Sequence, residues 1–244
     1  MIKARADRFA LLWVLIAAAP AVLLIGASDA ADAPERFFRN YAVRRAPHLS
    51  IGSAYGDITV TAWTRKEVSV RAAGPPSVLI HDSVIGNVIT VFVMRAPRMG
   101  KVDFDVAVPP DTSLHLKNRK GNVNVSGVAG HIEVDSGDGE IRFSHAPSSS
   151  IEARVVSGDI FFDGDLTGDG PYTFQSVKGY VDITLPAWNS FRLSAQAMSG
   201  QINIGEFTLN SIKRNRRSIS GVHVRGGPAL NLVTYEGRIL LHRR

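Results

Sequence analysis

Cysteine is absent from this 244-residue chain, which excludes disulfide bridges, thiolate metal sites and a thiol nucleophile. The histidines form neither an H-x-x-x-H nor an H-E-x-x-H pair, and no G-x-S-x-G sequence marks a serine nucleophile. The glycine-rich stretches precede strand-like patterns and never open a helix, so dinucleotide and phosphate loops are excluded as well. We therefore expect no cofactor and no metal catalysis.

The excess of one charge is small. There are 28 Lys and Arg against 22 Asp and Glu, which gives a formal net charge of +6. Removal of residues 1–30 takes away three basic and two acidic residues and leaves +5. A dedicated nucleic-acid-binding protein concentrates more positive charge than this. We expect no nucleic-acid partner.

Long apolar runs are confined to the first 30 residues. Three basic residues precede the apolar run Phe9–Ala27, and Ser28 and Ala30 provide the small residues of a cleavage site. These features predict a helical signal peptide at residues 1–30. An uncleaved N-terminal membrane anchor is the alternative, because 19 apolar residues are nearly enough to cross a bilayer. Either interpretation predicts export to the periplasm or cell surface.

Glycine is what the sequence has in abundance, and eight glycines share one pattern: apolar residues follow at the second and fourth positions, as in "VSGDIFF". They are Gly56, Gly121, Gly130, Gly139, Gly158, Gly179, Gly200 and Gly237. Such alternation predicts a strand with one buried face. A glycine just before the strand permits a turn that a side chain would oppose. Each unit is thus predicted to be one turn and one short strand.

The spacing of these units predicts how the strands stack. From Gly121 to Gly200 the intervals are 18, 19, 21 and 21 residues, with further apolar pairs between the glycines. We predict an all-β fold, a β-solenoid of stacked two-strand coils of about 18–21 residues each. An antiparallel β-sandwich is the alternative. Residues 31–45 are predicted as a lead-in segment and residues 46–244 as a single all-β domain that ends in a hairpin-like pair.

Several segments together resemble the DUF4097 family of adhesin-like proteins over about residues 49–241. They are "LSIGSAYGDITVTAW", "VAVPPDTSLHLKNRKGNVNVSGVAGHIEVDSGDGEIRF", "VSGDIFF", "KGYVDITLP" and "VTYEGRILL". The resemblance implies an exported or membrane-attached bacterial domain of β-solenoid type, and it brings no catalytic residues. The basic insertion "KRNRR" departs from the family pattern.

Two acidic clusters are candidates for chemistry. Glu133 and Asp135 lie two apart on a predicted strand, about 7 Å from each other, as paired carboxylates acting on a glycosidic bond would. The simpler interpretation is a solvated β face. Asp163, Asp165 and Asp169 resemble the start of a calcium loop, but Phe174 occupies the position of its bidentate acid. A turn of Asp and Gly needs no metal, and we predict no metal site.

A basic loop is the candidate binding site. Lys213, Arg214, Arg216 and Arg217 lie together, with Arg225, Arg238, Arg243 and Arg244 near in sequence. This patch is a candidate for binding an anionic surface, such as lipid phosphates or acidic polysaccharide. A solvated loop is the simpler interpretation.

Taken together, the sequence predicts a non-catalytic, exported protein of the bacterial envelope. It would be an adhesin-like binding or structural module whose faces contact an envelope protein or a glycan. The alternative is a carbohydrate-active enzyme that uses Glu133 and Asp135.

Overall fold

The computed structural model describes residues 35–96 and 100–244, and this part of the chain contains β-strands and no helix. The prediction of an all-β fold is therefore confirmed. Among the same residues, no helix exists that is long and apolar enough to span a membrane. The predicted signal helix at residues 1–30 lies outside the described residues.

The described residues form 21 strands in two mixed sheets. In chain order the strands are β1 (Glu35–Ala42), β2 (His48–Ser53), β3 (Ile58–Ala62), β4 (Glu67–Ala73), β5 (Leu79–Ile85), β6 (Val88–Arg95), β7 (Asp103–Val108), β8 (Ser113–Lys120), β9 (Val123–Ser126), β10 (His131–Asp138), β11 (Ile141–Ser144), β12 (Ser150–Ser157), β13 (Ile160–Asp163), β14 (Tyr172–Lys178), β15 (Val181–Leu185), β16 (Phe191–Ser199), β17 (Ile202–Asn203), β18 (Asn210–Arg214), β19 (Ser218–His223), β20 (Ala229–Glu236) and β21 (Ile239–Arg243). The ten-stranded sheet has the order β1-β4-β7-β3-β9-β11-β13-β15-β21-β17. The eleven-stranded sheet has the order β18-β19-β16-β20-β14-β12-β10-β8-β2-β6-β5.

The middle of both sheets consists of parallel two-strand coils, each with one strand in either sheet. The coils β8/β9, β10/β11, β12/β13 and β14/β15 follow one another in chain order. Their register matches the spacing of the sequence units: Ile132 lies beside Ile151, and Ile141 lies between Val123 and Ile160. Equivalent apolar residues therefore form continuous rows through the stack.

The ends of the stack differ from the simple repeat that the sequence predicts. The coil β20/β21 lies between β14/β15 and β16/β17, although it is last in the chain. The predicted closing hairpin is wrong, because β20 and β21 belong to different sheets and each pairs in parallel with its neighbours. The reason is that β19 pairs antiparallel with one side of β16 and leaves the other side for β20.

Antiparallel strands cover three of the four sheet ends. The pairs are β1–β4, β4–β7, β5–β6, β16–β19 and β18–β19. The fold is thus neither a purely parallel stack nor an antiparallel sandwich. β1 lies within the segment predicted as a lead-in at residues 31–45, and it forms the edge of the ten-stranded sheet.

The inward-facing residues of the two sheets form one core. Nearly all apolar pairs that follow the repeated glycines are buried, including Ile160 with Phe162 and Val181 with Ile183. The exceptions are Ile202 and Ile204 at the edge of the ten-stranded sheet, which are only partly buried. Burial of alternating residues on both faces of the interior supplies the main stabilisation of the stack.

Seven glycines form a column at the turn from the eleven-stranded to the ten-stranded sheet. In spatial order they are Gly56, Gly121, Gly139, Gly158, Gly179, Gly237 and Gly200. A Cβ atom on Gly158 would lie 2.0 Å from the carbonyl oxygen of Gly139. The φ of Gly158 is +147°, a value that residues other than glycine rarely adopt. The column lets the turns stack at the spacing of the strands.

Inward-facing polar side chains bind the carbonyl groups of this column. The Asn118 amide donates to the carbonyl of Gly56 at 2.9 Å. The Ser176 hydroxyl donates to Gly158 at 2.9 Å, and the Thr234 hydroxyl donates to Gly179 at 3.0 Å. These bonds satisfy acceptors at a place where the core would otherwise be apolar.

Side chains just after the column link neighbouring turns. One Asp57 carboxylate oxygen accepts the backbone N–H of Asn122 at 2.8 Å, and the other accepts the Lys101 ammonium at 2.8 Å. Partial burial raises the pKa of Asp57, but the Lys101 ammonium and the Asn122 amide outweigh it, so that the pKa lies below its ordinary value of 3.8.

Gly158→Ala is expected to destabilise the protein by about 3 kcal/mol or more, because the methyl group meets a backbone oxygen and the φ value is unfavourable. Gly86→Ala is the control: its φ is +63°, but no atom lies within 4 Å of the added Cβ. Gly86→Ala should lower the free energy of unfolding by about 1 kcal/mol. Urea unfolding measures the free energy of unfolding of both variants. An equal decrease in Gly158→Ala and Gly86→Ala would contradict the role of the column.

Asp57→Asn should lower the free energy of unfolding at pH 7 by about 1 kcal/mol, a value reduced for solvent screening. Because the pKa is lower in the folded state, the contribution is complete above pH 3.8 and is lost as the pH falls below that value. Urea unfolding at pH 7 and near pH 3 should therefore show a gap to the wild type that closes in acid. Asp138→Asn, which removes an exposed carboxylate, is the control, and the same closing gap in both variants would contradict the role of Asp57.

Candidate functional site

Glu133 and Asp135 both project outward from β10, as the sequence predicts, but they contact different partners. The Glu133 carboxylate lies 2.8 Å from Nδ1 of His115. The Asp135 carboxylate lies 3.6 Å from the guanidinium of Arg154, which also pairs with Glu152. Each carboxylate therefore contacts a side chain from a different neighbouring strand, His115 of β8 or Arg154 of β12.

The two carboxylates also line separate open depressions on the eleven-stranded sheet. Glu133 borders one of about 410 Å³ together with His48 and His131. Asp135 borders another of about 530 Å³ that Lys117 and Arg154 also line. A pair of carboxylates that acts on one glycosidic bond must face a common reaction centre, whereas Glu133 and Asp135 border different depressions.

The aspartates of the predicted calcium-like loop are bound by an arginine. Asp163 accepts a hydrogen bond from Arg244 at 2.7 Å, and Asp165 accepts one from the same guanidinium at 3.0 Å. Asp169 takes no part in this contact. Within residues 35–96 and 100–244, no three His, Cys, Asp or Glu side chains are grouped as a metal site requires.

An acid–base pair that the sequence analysis missed links β15 to β21. The carboxylate of Asp182 lies 3.3 Å from Nε2 of His242. Burial raises the pKa of Asp182, and the His242 imidazole opposes this rise. In register, Asp182 stands between Phe161 and Leu240, two outward apolar residues that reduce its contact with water. Only their pairing across the sheet brings these groups together.

The predicted basic patch lies on the antiparallel hairpin β18–β19. Lys213 and Arg214 end β18, and Arg216 and Arg217 lie in the turn. Asn215 shapes this turn, because its side-chain oxygen accepts the backbone N–H groups of Arg217 and Ser218 at 2.8 Å. All four basic side chains are exposed, and none forms an ion pair with a described residue.

Other basic residues near in sequence do not all join this patch. Arg244 pairs with Asp163 and Asp165, and the Arg238 guanidinium lies 5.9 Å from the ring centre of Tyr180. The hairpin therefore carries a separate group of four cations, which we call the basic hairpin (Lys213, Arg214, Arg216 and Arg217).

A cavity of about 540 Å³ opens beside the basic hairpin. Arg214 and Arg216 line one side, and residues 200–205, which include β17, line the other. The sequence pattern does not predict that these two segments meet. The interval of 37 residues from Gly200 to Gly237, against 18–21 between successive units from Gly121 to Gly200, was the available signal that extra strands lie at this end.

The family model for Toastrack DUF4097 matches residues 42–242. The chain belongs to this family. The resemblance recognised in the glycine-punctuated segments is thus confirmed. Comparison with curated proteins found no match.

One solved structure agrees with the fold of this DUF4097 chain. A crystal structure of a "putative cell adhesion protein" from Clostridium sporogenes is similar with a TM-score of 0.55 and 10% identity, covering 86% of this chain and 100% of that one. A "putative adhesin" from Bacteroides fragilis has a TM-score of 0.27 and 12% identity, covering 85% of this chain and 96% of that one. At these identities the first likeness concerns the fold alone, and the second carries no argument.

Proposed function

We propose that this chain is an exported, non-catalytic binding module of the bacterial envelope, with an adhesin-like role toward a protein or glycan partner. The N-terminal sequence supports export, since a basic segment, an apolar run and small residues succeed one another there. The name of the similar structure from Clostridium sporogenes agrees with an adhesin-like role.

The observation that carries the proposal is a row of polar side chains across the outer face of the eleven-stranded sheet. Seven adjacent strands each contribute one half-buried residue to it. In register they are Ser50, His115, Glu133, Glu152, Thr173, Asn231 and Ser194. Strands lie about 4.8 Å apart, so the row offers hydrogen-bonding groups at a regular spacing to an extended ligand.

Partnered carboxylates argue for binding rather than catalysis. A general acid needs a pKa shifted toward the working pH and a site that encloses the substrate. Glu133 and Asp135 each contact a basic side chain and open to different depressions. Such groups are suited to hydrogen bonds with a polar partner.

Substitution of the row should abolish capture of the envelope partner. Thr173→Lys with Asn231→Lys places two long cations on adjacent strands of the row, where they obstruct an extended ligand. Thr59→Lys with Asn124→Lys makes the matching change on adjacent strands of the opposite sheet and should leave capture intact. The measurement is affinity capture from an envelope extract with the tagged chain and both variants as bait.

Two outcomes would contradict this proposal. Capture that neither variant changes, or that both reduce equally, would mean that the row is not the contact surface. Hydrolysis of an acidic polysaccharide by the wild type, lost in Glu133→Gln, would identify a carbohydrate-active enzyme instead.

Export has its own test. Fractionation of cells that produce the full chain should place it in the periplasmic or surface fraction, while a chain that lacks residues 1–30 should stay in the cytoplasm. An equal distribution of the two forms would contradict a role in the envelope.

A further inference from the structure

The two sheets end unevenly beside the basic hairpin. The ten-stranded sheet ends at β17, whereas the eleven-stranded sheet continues past the same coil with β19 and β18. Within the described residues, β17 pairs with β21 on one side and with no strand on the other. A place for a further strand of the ten-stranded sheet is therefore open.

The backbone of β17 is oriented to bond a strand at that place. The N–H of Ile239 donates to the carbonyl of Gln201 at 2.9 Å, so the backbone groups of Gln201 point toward β21. Alternate residues of a parallel strand point to opposite neighbours. Ile202 therefore presents its N–H and its carbonyl to the open side.

Arg214 extends over this open place. It lies opposite Ile219 in the β18–β19 pair, and opposed residues project from the same face of a sheet. Ile219 is only 2% exposed and points toward the core between the sheets. Arg214 thus projects into the space that the ten-stranded sheet would cover if it had one more strand, and Arg216 lines the same cavity.

The positive charge beside the cavity indicates which class of ligand binds there. Arg214 and Arg216 form no ion pair with a described residue, so their guanidinium groups are available to carboxylates. The N–H and carbonyl of Ile202 are both bonded only by a partner that carries alternating donors and acceptors. An extended polypeptide has both features, whereas a lipid headgroup or a glycan supplies only the anion.

We propose that the cavity between β17 and the basic hairpin binds an extended, acidic polypeptide segment of a partner protein, which adds one strand to the ten-stranded sheet. Its backbone bonds Ile202, and its carboxylates bind Arg214 and Arg216. This inference rests on the proposed function, because it names the class of partner and a second contact surface for the same exported module.

A fluorescein-labelled peptide of alternating glutamate and valine tests this site by fluorescence anisotropy with the full chain. Arg214→Glu with Arg216→Glu should raise its Kd about tenfold or more, because both carboxylate contacts become repulsive. Lys213→Glu with Arg217→Glu is the matched control: it changes the net charge equally on the same hairpin but outside the cavity lining. The control should raise the Kd by less than about threefold.

The backbone contact has a separate readout. The same peptide with N-methyl groups on alternate amides keeps its charge but cannot form a strand ladder, and it should bind about tenfold more weakly or worse. A peptide of alternating lysine and valine should not bind. Urea unfolding of both double variants establishes that they are folded.

An equal rise in the Kd of the peptide in the two double variants would overturn the proposal. Binding of the methylated peptide with the same Kd as the unmethylated one would also overturn it. Binding of anionic vesicles or an acidic polysaccharide, but not of the peptide, would identify the basic hairpin as a general anion site and would also overturn it. If the peptide fails while envelope capture depends on the polar row, only this inference is lost. If envelope capture fails as well, the proposed function is lost with it.

Discussion

Each coil brings the Cα of one glycine against the carbonyl oxygen of the glycine in the adjacent coil, and the stack depends on this close approach. A Cβ at Gly121, Gly139, Gly158 or Gly179 would lie between 2.0 and 2.2 Å from that oxygen. With glycine, the turns stack at the strand spacing, so that the strands on either side keep their hydrogen bonds in register. The aligned apolar rows follow from that register.

A stack of coils leaves exposed sheet edges at both of its ends. The strands that extend the two sheets differ between these ends. At one end, β1, β4 and β5 pair antiparallel and extend both sheets. At the other end only the eleven-stranded sheet is extended, by β19 and β18. An unpaired edge is a template for strand addition. The basic hairpin makes the edge at β17 selective, since it favours acidic segments and repels basic ones.

Several surface charges elsewhere are paired with a group of opposite charge. Lys101 contacts Asp57 and Asp103, Arg154 contacts Glu152 and Asp135, and Arg244 contacts Asp163 and Asp165. Exposed pairs of this kind add little stability, but they neutralise the groups that would otherwise attract ions. The four cations of the basic hairpin have no such partners among the described residues.

Local sequence determined the strands of this protein, because alternating apolar residues such as Ile160 and Phe162 have only one arrangement that buries them together. It also determined the stacking period, since glycine is required wherever one turn lies against the next. Tertiary structure alone decided that β20/β21 is inserted before β16/β17, because either order buries the same apolar rows. It also decided that Arg214 faces Ile202 across a cavity: their meeting depends on where each sheet ends, and sheet length is set by pairing between segments distant in the chain.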